Sequence, residues 1–338
     1  QEAARLGRWS AAAQALWEAS GGGPLAAAEA SPPLPPRLLP PAALAGLQGR
    51  IDLSGYSKEL RLLRAALAAP GLPSAAGVQR AMERCGEEQW ASRNSWSKVA
   101  GGSKSAVLVA ALRGGPPGGG ILEIGTYCGY TAVCMAVALP DVRVTSLEVD
   151  PLHVVIARSI VAMAGLEQRV DVWTGHSKYL IARLAERRGG RELAPFSALF
   201  MDRWGSQYHE DFALLEACGV LRPGAVVAAD NVLWTGAALF LWRALAGGRE
   251  RTKAVRVREL ATGTEDFMSI SAHPGGRPVQ SEAPQDLLGL HEEAERVRLR
   301  VFGAGRKISA AERAEFASAM QRRMRQALRR LGVAQASG

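Results

Sequence analysis

The sequence predicts an α/β protein with a doubly wound, mostly parallel sheet. Between residues 55 and 273, helical patterns alternate with seven short runs rich in β-branched residues: GGGILEIG, RVTSLEV, RVDVWTG, SALFMD, AVVAAD, KAVRVREL and FMSISAH. Strands that alternate with helices indicate βαβ units and hence a parallel sheet. The last two runs are joined only by ATGTED, which predicts an antiparallel hairpin at the sheet edge.

These patterns divide the chain into three segments. Residues 55–273 are expected to form a Rossmann-like, seven-stranded domain flanked by helices. Residues 1–54 begin with a helical pattern and continue into SPPLPPRLLPPAALAG, which is typical of an extended spacer. Residues 274–338 predict an extra, basic helical tail, in which Ser309 and Glu312 match a capping box that starts its second helix.

Charge, cysteine content and hydrophobic runs indicate whether the protein binds nucleic acid, spans a membrane or contains disulfides. The net charge of +9 would suit nucleic acid or an anionic membrane, but an arginine-rich composition and a basic tail explain it without a specific partner. No RNA-binding motif accompanies the tail, so a nucleic-acid partner is not expected. The four cysteines form no C-x-x-C pair, which predicts reduced thiols and a cytoplasmic location. No apolar run reaches about 18 residues, so no membrane span is expected.

The first strand leads into a glycine-containing turn and a helix, ILEIGTYCGYTAV. Gly125 and Gly129 would let the backbone approach a ligand closely. The dinucleotide fingerprint G-x-G-x-x-G is absent, which disfavours a nicotinamide dehydrogenase. An acidic side chain, Glu123, stands at the strand end instead, and it suits a ligand that carries a positive amino group.

Two later strand ends extend this ligand site. Glu148 ends the second strand, 23 residues after Gly125, where an acidic residue accepts hydrogen bonds from a ribose diol. Ser177 and Lys178 follow the third strand and could hold a purine edge. An adenosine with an amino-acid tail fits all of these positions, so the predicted cofactor is S-adenosylmethionine.

Oxygen-bearing side chains end the next two strands. Asp202 ends the fourth run, and Asp230 and Asn231 end the fifth. Neighbouring parallel strands bring their carboxyl ends to one crevice, so these three groups are expected to converge. Such hard oxygen ligands, with room for water and substrate, predict Mg²⁺. The alternative is that one aspartate caps a helix and the other turns a loop.

With these motifs in order, the sequence resembles the catechol O-methyltransferase family. The resemblance rests on EEQWASRN, LEIGTYCGYTAV, SLEVDP, GHSKYL, FMDRWGSQYHEDFALLEACGVLRPGAVVAADNV and GAALFL, and it covers residues 55–273. It implies an Mg²⁺-dependent transfer of a methyl group from S-adenosylmethionine to a catechol-like or other vicinal-oxygen acceptor. It does not extend to the terminal segments, and it leaves the acceptor and the oligomeric state open.

The resemblance also implies roles for individual residues. The metal ligands would be Asp202, Asp230 and Asn231. The groups around the cofactor would be Val99, Glu123, Gly125, Tyr127, Thr131, Glu148, Val149, Ser177, Lys178, Asp202 and Trp204.

On the acceptor side, the resemblance implies a substrate wall at Trp90, with Trp204 packed on the adenosine and serving catalysis. Asn231 would contact the acceptor as well as the metal. Glu259 would accept a hydrogen bond from the second catechol hydroxyl, with Glu265 as the alternative.

Gly205 departs from the family pattern, which has a proton-accepting lysine at this position. In one interpretation, Mg²⁺ activates the acceptor and the missing base costs about 10²- to 10⁴-fold in rate. In the other, the site has moved to another acceptor, admitted by the space that glycine leaves, or to none. A second departure places Trp234 and Thr235 where the family has a proline. The chain is therefore expected to be an O-methyltransferase, with a weak or inactive methyltransferase-fold binding protein as the alternative.

Overall fold

The computed structural model describes residues 53–188, 195–246, 252–275, 282–302 and 308–337. The helix and proline-rich spacer predicted before residue 53 lie outside these ranges. The helices are α1 Ser57–Leu67, α2 Ala75–Arg93, α3 Ser103–Leu112, α4 Tyr130–Ala138, α5 Pro151–Met163, α6 Ser177–Arg188, α7 Tyr208–Ala217, α8 Ala238–Ala246, α9 Gln285–Phe302 and α10 Ala310–Arg330. The strands are β1 Gly120–Ile124, β2 Val144–Glu148, β3 Val170–Thr174, β4 Phe196–Met201, β5 Leu221–Ala229, β6 Lys253–Arg258, β7 Glu265–Ala272 and β8 Ala334–Ser337.

The sheet confirms the predicted doubly wound arrangement. Its strand order is β3-β2-β1-β4-β5-β7-β6-β8, and the first five strands in that order run parallel. β7 runs antiparallel to both β5 and β6, as the hairpin prediction requires. The chain reverses its direction of winding between β1 and β4, so a crevice forms beyond the carboxyl ends of these strands.

The sheet has one strand more than predicted. β8 pairs in parallel with β6, so the hairpin is covered by a further strand and does not form the sheet edge. The run AQAS that forms β8 contains no β-branched or aromatic residue, so its sequence gives no strand signal. Backbone hydrogen bonding to an open strand edge supplies the pairing instead.

The helices of the basic tail pack into the same core as the sheet. Apolar side chains of α9 and α10 share one buried cluster with strand residues such as Val227 and Phe267: Leu287, Leu290, Ala294, Val297, Phe316, Met320, Met324, Ala327 and Leu328. The capping box between Ser309 and Glu312 is present at the start of α10. The domain boundary at residue 273 stays a prediction, but the two helices after it complete the core.

Several arginines of the tail are paired with carboxylates. Arg325 lies 3.1 Å from Glu265 of β7, and Arg323 and Arg330 contact acidic residues of α9. These pairs offset part of the tail's positive charge. Within the described ranges, no helix has the length and apolar character that a membrane span requires.

Candidate active site

Two predicted metal ligands follow neighbouring strands at the carboxyl edge of the sheet. Asp202 directly follows β4, and its backbone N–H donates to the carbonyl of Ile124 at 2.9 Å. Asp230 directly follows β5, and its N–H donates to the carbonyl of Met201 at 2.9 Å. The parallel register of β1, β4 and β5 therefore places both residues at the carboxyl ends of neighbouring strands, and their convergence on one metal ion stays a prediction.

A buried tyrosine fixes the backbone of both strand ends. The Tyr208 hydroxyl lies 2.9 Å from the carbonyl oxygen of Arg203 and 3.0 Å from that of Asp230. It also accepts the N–H of Arg203 at 3.0 Å. Tyr208 is fully buried, so these hydrogen bonds hold the loop after β4 against the loop after β5.

Gly125 is required where the turn after β1 meets β4. Its φ is +101°, and a Cβ at this position would lie 2.0 Å from the carbonyl oxygen of Asp202. The sequence suggested that this glycine makes room for a ligand. In the structure, its close neighbour is the backbone of a predicted metal ligand, so the glycine sets the position of Asp202.

Beside the two aspartates lies a cluster that the sequence did not reveal. Lys104 of α3 is 2% exposed, and its Nζ lies 2.7 Å from Oδ2 of Asp230 and 2.8 Å from Oδ2 of Asp266. The same ammonium contacts Glu259. All three carboxylates are buried, and their oxygens approach one another closely enough to bind one ion.

Acidic side chains around Lys104 have perturbed pKa values. Burial raises the pKa of Asp230 and of Glu259, and it raises the pKa of Asp202 to about 6, although the Lys104 ammonium opposes each of these shifts. Burial would lower the pKa of Lys104, but the neighbouring carboxylates raise it well above its usual value. Burial makes the ionised form of these carboxylates unfavourable, and a further cation nearby would stabilise that form.

The donor set fits a hard divalent cation. The Asn231 side-chain amide donates to Asp266 and lies 3.5 Å from Glu259, which leaves its carbonyl oxygen as the group available for a metal. Its backbone adopts φ +55°, a left-handed conformation that asparagine tolerates. Asp202, Asp230 and Asn231 therefore provide oxygen ligands of the kind that Mg²⁺ prefers.

Glu123 lies at the end of β1 and is completely buried. Hydroxyls of Thr131 and Ser146 donate to its two carboxylate oxygens. Burial raises its pKa to about 8, although the two hydrogen bonds oppose this shift. A positive amino group placed beside Glu123 would stabilise its ionised form, in agreement with the predicted contact to the amino-acid end of the cofactor.

Glu148 ends β2 in a network of backbone donors. It accepts the N–H of Tyr127 at 2.8 Å and that of Asp150 at 2.9 Å. Burial would raise its pKa, but His153 and these N–H groups bring the pKa below its usual value, so the carboxylate is ready to accept from a diol. The next residue, Val149, is 62% exposed, which leaves an apolar surface beside the predicted ribose site.

Two further predicted cofactor residues, Ser177 and Lys178, follow β3 at the same edge of the sheet. Ser177 begins α6, and its hydroxyl donates to Asp211 at 2.7 Å and accepts from Arg203 at 2.7 Å. Lys178 is exposed, and its Nζ lies 4.8 Å from the ring centre of Tyr179. Val99 is buried in the loop between α2 and α3.

Gly205 does not leave an open space. A Cβ at this position would lie 2.1 Å from Oγ1 of Thr235 and 3.1 Å from Cβ of Ala237. The Thr235 hydroxyl in turn donates to the carbonyl of Asn231 at 2.6 Å. The expectation that glycine admits a bulkier acceptor here is therefore wrong, because Thr235 fills the position.

Aromatic rings from three loops and one helix end form a row that includes the loops after β4 and β5. Trp96 contacts Trp234 with ring centres 6.4 Å apart, and Trp234 contacts Trp204 at 6.2 Å. Trp204 then contacts Phe302 at 5.6 Å. Trp90, the predicted acceptor wall, lies half-buried on the last turn of α2, whereas Trp96 in the following loop reaches this row.

Comparison with known proteins finds similarity to O-methyltransferases. Residues 117–261 match the O-methyltransferase family. The chain is 36% identical to mouse catechol O-methyltransferase over 193 residues, which are 56% of this chain and 68% of the mouse protein. The bovine catechol O-methyltransferase is also 36% identical, over 56% of this chain and 66% of that protein. The chain thus spans about two thirds of the length of these two relatives.

Other similarities are more distant. Human transmembrane O-methyltransferase is 32% identical over 185 residues, which are 54% of this chain and 60% of that protein. A Bacillus cereus O-methyltransferase, solved in complex with SAH, is 24% identical and superposes with a TM-score of 0.44. That alignment covers 54% of this chain and 86% of the bacterial chain.

Proposed function

Because the chain belongs to the catechol O-methyltransferase family of S-adenosylmethionine-dependent O-methyltransferases, we propose that it methylates a hydroxyl of a catechol-like acceptor with the help of Mg²⁺. The observation that carries this proposal is the juxtaposition of Asp202 and Asp230 on neighbouring strand ends. Asn231 adds a third oxygen ligand. The ammonium of Lys104 is shared among three carboxylates beside this site, those of Asp230, Glu259 and Asp266.

In this proposal, the cofactor lies along the ends of β1, β2 and β3. Glu123 would face its amino group and Glu148 its ribose hydroxyls, while Val149 would border the adenine. Trp204 would separate the cofactor from the acceptor, since it follows the Asp202 loop and contacts the aromatic row. Holding the methyl donor and the acceptor oxygen in line supplies a large part of the rate enhancement in such a transfer.

The ion would be held by Asp202, Asp230 and Asn231. A bound Mg²⁺ supplies positive charge that makes an acceptor hydroxyl easier to deprotonate. Position 205 provides no basic side chain, and Thr235 occupies the space beside it. The acceptor proton therefore leaves without help from position 205, and the rate should depend strongly on the metal.

Methyl transfer from labelled S-adenosylmethionine to a catechol tests the proposal directly. Asp230→Asn keeps the shape of the side chain but removes its charge, and it should lower kcat/KM by roughly 10²- to 10³-fold. Exposed Asp141, between α4 and β2, provides the matched control, and Asp141→Asn should transfer methyl groups like the unchanged protein. Full activity of the Asp230 variant, or full activity in a metal chelator, would refute the Mg²⁺ proposal.

The alternative is a binding protein that retains the cofactor without turnover. Gly205 favours it, because the family's basic residue is missing. Calorimetric binding of S-adenosylmethionine, combined with no methyl transfer to any catechol at saturating Mg²⁺, would support this alternative.

A further inference from the structure

We infer that helix α9, which follows the family-matched region, forms the outer wall of the acceptor site, and that Phe302 favours acceptors carrying a second aromatic ring. This inference rests on the proposed function and adds a substrate class to it.

Helix α9 is fixed to the two loops that carry Trp204 and Trp234. Glu295 accepts a hydrogen bond from Ser206, two residues after Trp204. Gly236, two residues after Trp234, packs so closely on α9 that a Cβ there would lie 2.6 Å from Cβ of Ala294. The position of the helix is thus coupled to the site on two sides.

The carboxyl end of α9 reaches the aromatic row. Phe302 is the last residue of the helix, and its ring meets Trp204 edge-on at 89°. Trp204 lies between Phe302 and Trp234 in this row. A flat acceptor bound at the Asp202 and Asp230 crevice would therefore have the row along its side, with Phe302 at its outer end.

The side chain of Phe302 is largely exposed to solvent. Phe302 is 59% exposed, whereas Leu287, Leu290, Ala294 and Val297 of the same helix are buried in the core. An edge-on contact with Trp204 leaves much of the ring in water, where a second aromatic ring could pack on it. Such aromatic pairs prefer offset or edge-to-face geometry, and they add to the affinity gained by burying apolar area.

Leu299 provides a matched comparison. It lies one turn before Phe302 on α9 and is 57% exposed, so both side chains present a similar apolar surface to water. Phe302 is the one whose ring contacts Trp204. A generic effect of exposed apolar surface would act through both positions, whereas an acceptor wall would act through Phe302.

The test is acceptor binding measured by titration calorimetry with S-adenosylhomocysteine and Mg²⁺ present. Two acceptors that share the same vicinal diol are compared, one with a single ring and one with a second aromatic ring on a short linker. The unchanged protein should bind the two-ring acceptor more tightly. Phe302→Ala should weaken that binding about 3- to 10-fold and leave single-ring binding unchanged. Leu299→Ala should change neither, and Phe302→Tyr should restore the preference.

Two results would overturn the inference. One is that Phe302→Ala weakens both acceptors equally, and the other is that the unchanged protein shows no preference or binds neither acceptor. Thermal unfolding should give the same Tm for all variants, because both substituted side chains are exposed. A protein that binds the two-ring acceptor through Phe302 but transfers no methyl group would retain this inference and contradict the proposed function.

Discussion

Lys104 and Asp230 form a buried ion pair, with the ammonium nitrogen 2.7 Å from Oδ2 of the carboxylate. Lys104 also binds Glu259 and Asp266, so these two carboxylates are already engaged by a cation. Asp230 is therefore shared between Lys104 and the proposed metal. Glu259 thus contacts Lys104, and its predicted contact with the acceptor stays a prediction.

Replacing Lys104 should destabilise the metal-free protein strongly. Lys104→Met keeps the length of the side chain but leaves three buried carboxylates without their cation, which should lower the free energy of unfolding by about 3–5 kcal/mol. Added Mg²⁺ should then stabilise the variant more than it stabilises the unchanged protein. Urea denaturation with and without Mg²⁺ measures both effects.

Exposed Lys253 on β6 is the control for this substitution, and Lys253→Met should unfold like the unchanged protein. A Lys104→Met variant of normal stability would contradict the role assigned to this ion pair.

A side chain at position 205 should conflict with Thr235. Gly205→Ala should lower the free energy of unfolding by about 1–3 kcal/mol, because the new Cβ would overlap Oγ1 of Thr235. Thr235→Gly removes that atom, so the double variant should lose less stability than the sum of the two single variants. Urea denaturation of all four proteins gives the coupling energy.

The contact between position 205 and Thr235 should also prevent a basic side chain at position 205 from acting in the site. Gly205→Lys alone should fail to accelerate methyl transfer, because its side chain cannot enter past Thr235. Normal stability together with a tenfold faster transfer in that single variant would show that the position is more open than the structure indicates.

Cofactor binding should release a proton near pH 7. With a pKa of about 8, Glu123 is mostly protonated at pH 7 in the free protein, and a positive amino group beside it would lower that pKa. Cofactor affinity should therefore rise with pH up to about 8. Calorimetry in buffers of different ionisation enthalpy measures the released proton.

Glu123→Gln is the control, and it should bind the cofactor without this proton release. The folding stability of the free protein should depend on pH with the opposite sign to the cofactor affinity. The folded pKa lies above the ordinary value of 4.5, so the free protein should lose stability as pH rises from about 4.5 to 8. A pH-independent cofactor affinity in the unchanged protein would argue against Glu123 as the partner of the amino group.

Removing the Tyr208 hydroxyl should loosen the two strand ends. Tyr208→Phe leaves the carbonyl of Asp230 without this donor and should cost about 1–3 kcal/mol of folding free energy. Metal affinity should fall as well, because Asp202 and Asp230 would no longer be held together. Tyr179→Phe, on an exposed side chain, should change neither quantity.

The parts of the site that could be predicted are those that local sequence encodes. Glu123 and Glu148 lie in the last two residues of their strands, and Asp202 and Asp230 directly follow theirs. Parallel strands bring their ends together whatever the details of packing. The fold class followed from the same alternation of strands and helices.

The parts that could not be predicted depend on contacts between distant segments. Lys104 meets Asp230 across 126 positions, and α9 reaches the aromatic row from outside the family-matched region. The space at Gly205 could not be judged without knowing that Thr235 faces it. Strand β8 lacked a side-chain signal because its pairing is made by the backbone.

The contribution of α9 and β8 to the core has a consequence for biosynthesis. Residues 282–337 leave the ribosome after the rest of the described chain, yet they cover Trp204 and pair with β6. Nascent chains that end before α9 would expose the apolar surface that this helix later covers. Premature termination in this region should therefore produce aggregation-prone fragments with an unfinished acceptor wall.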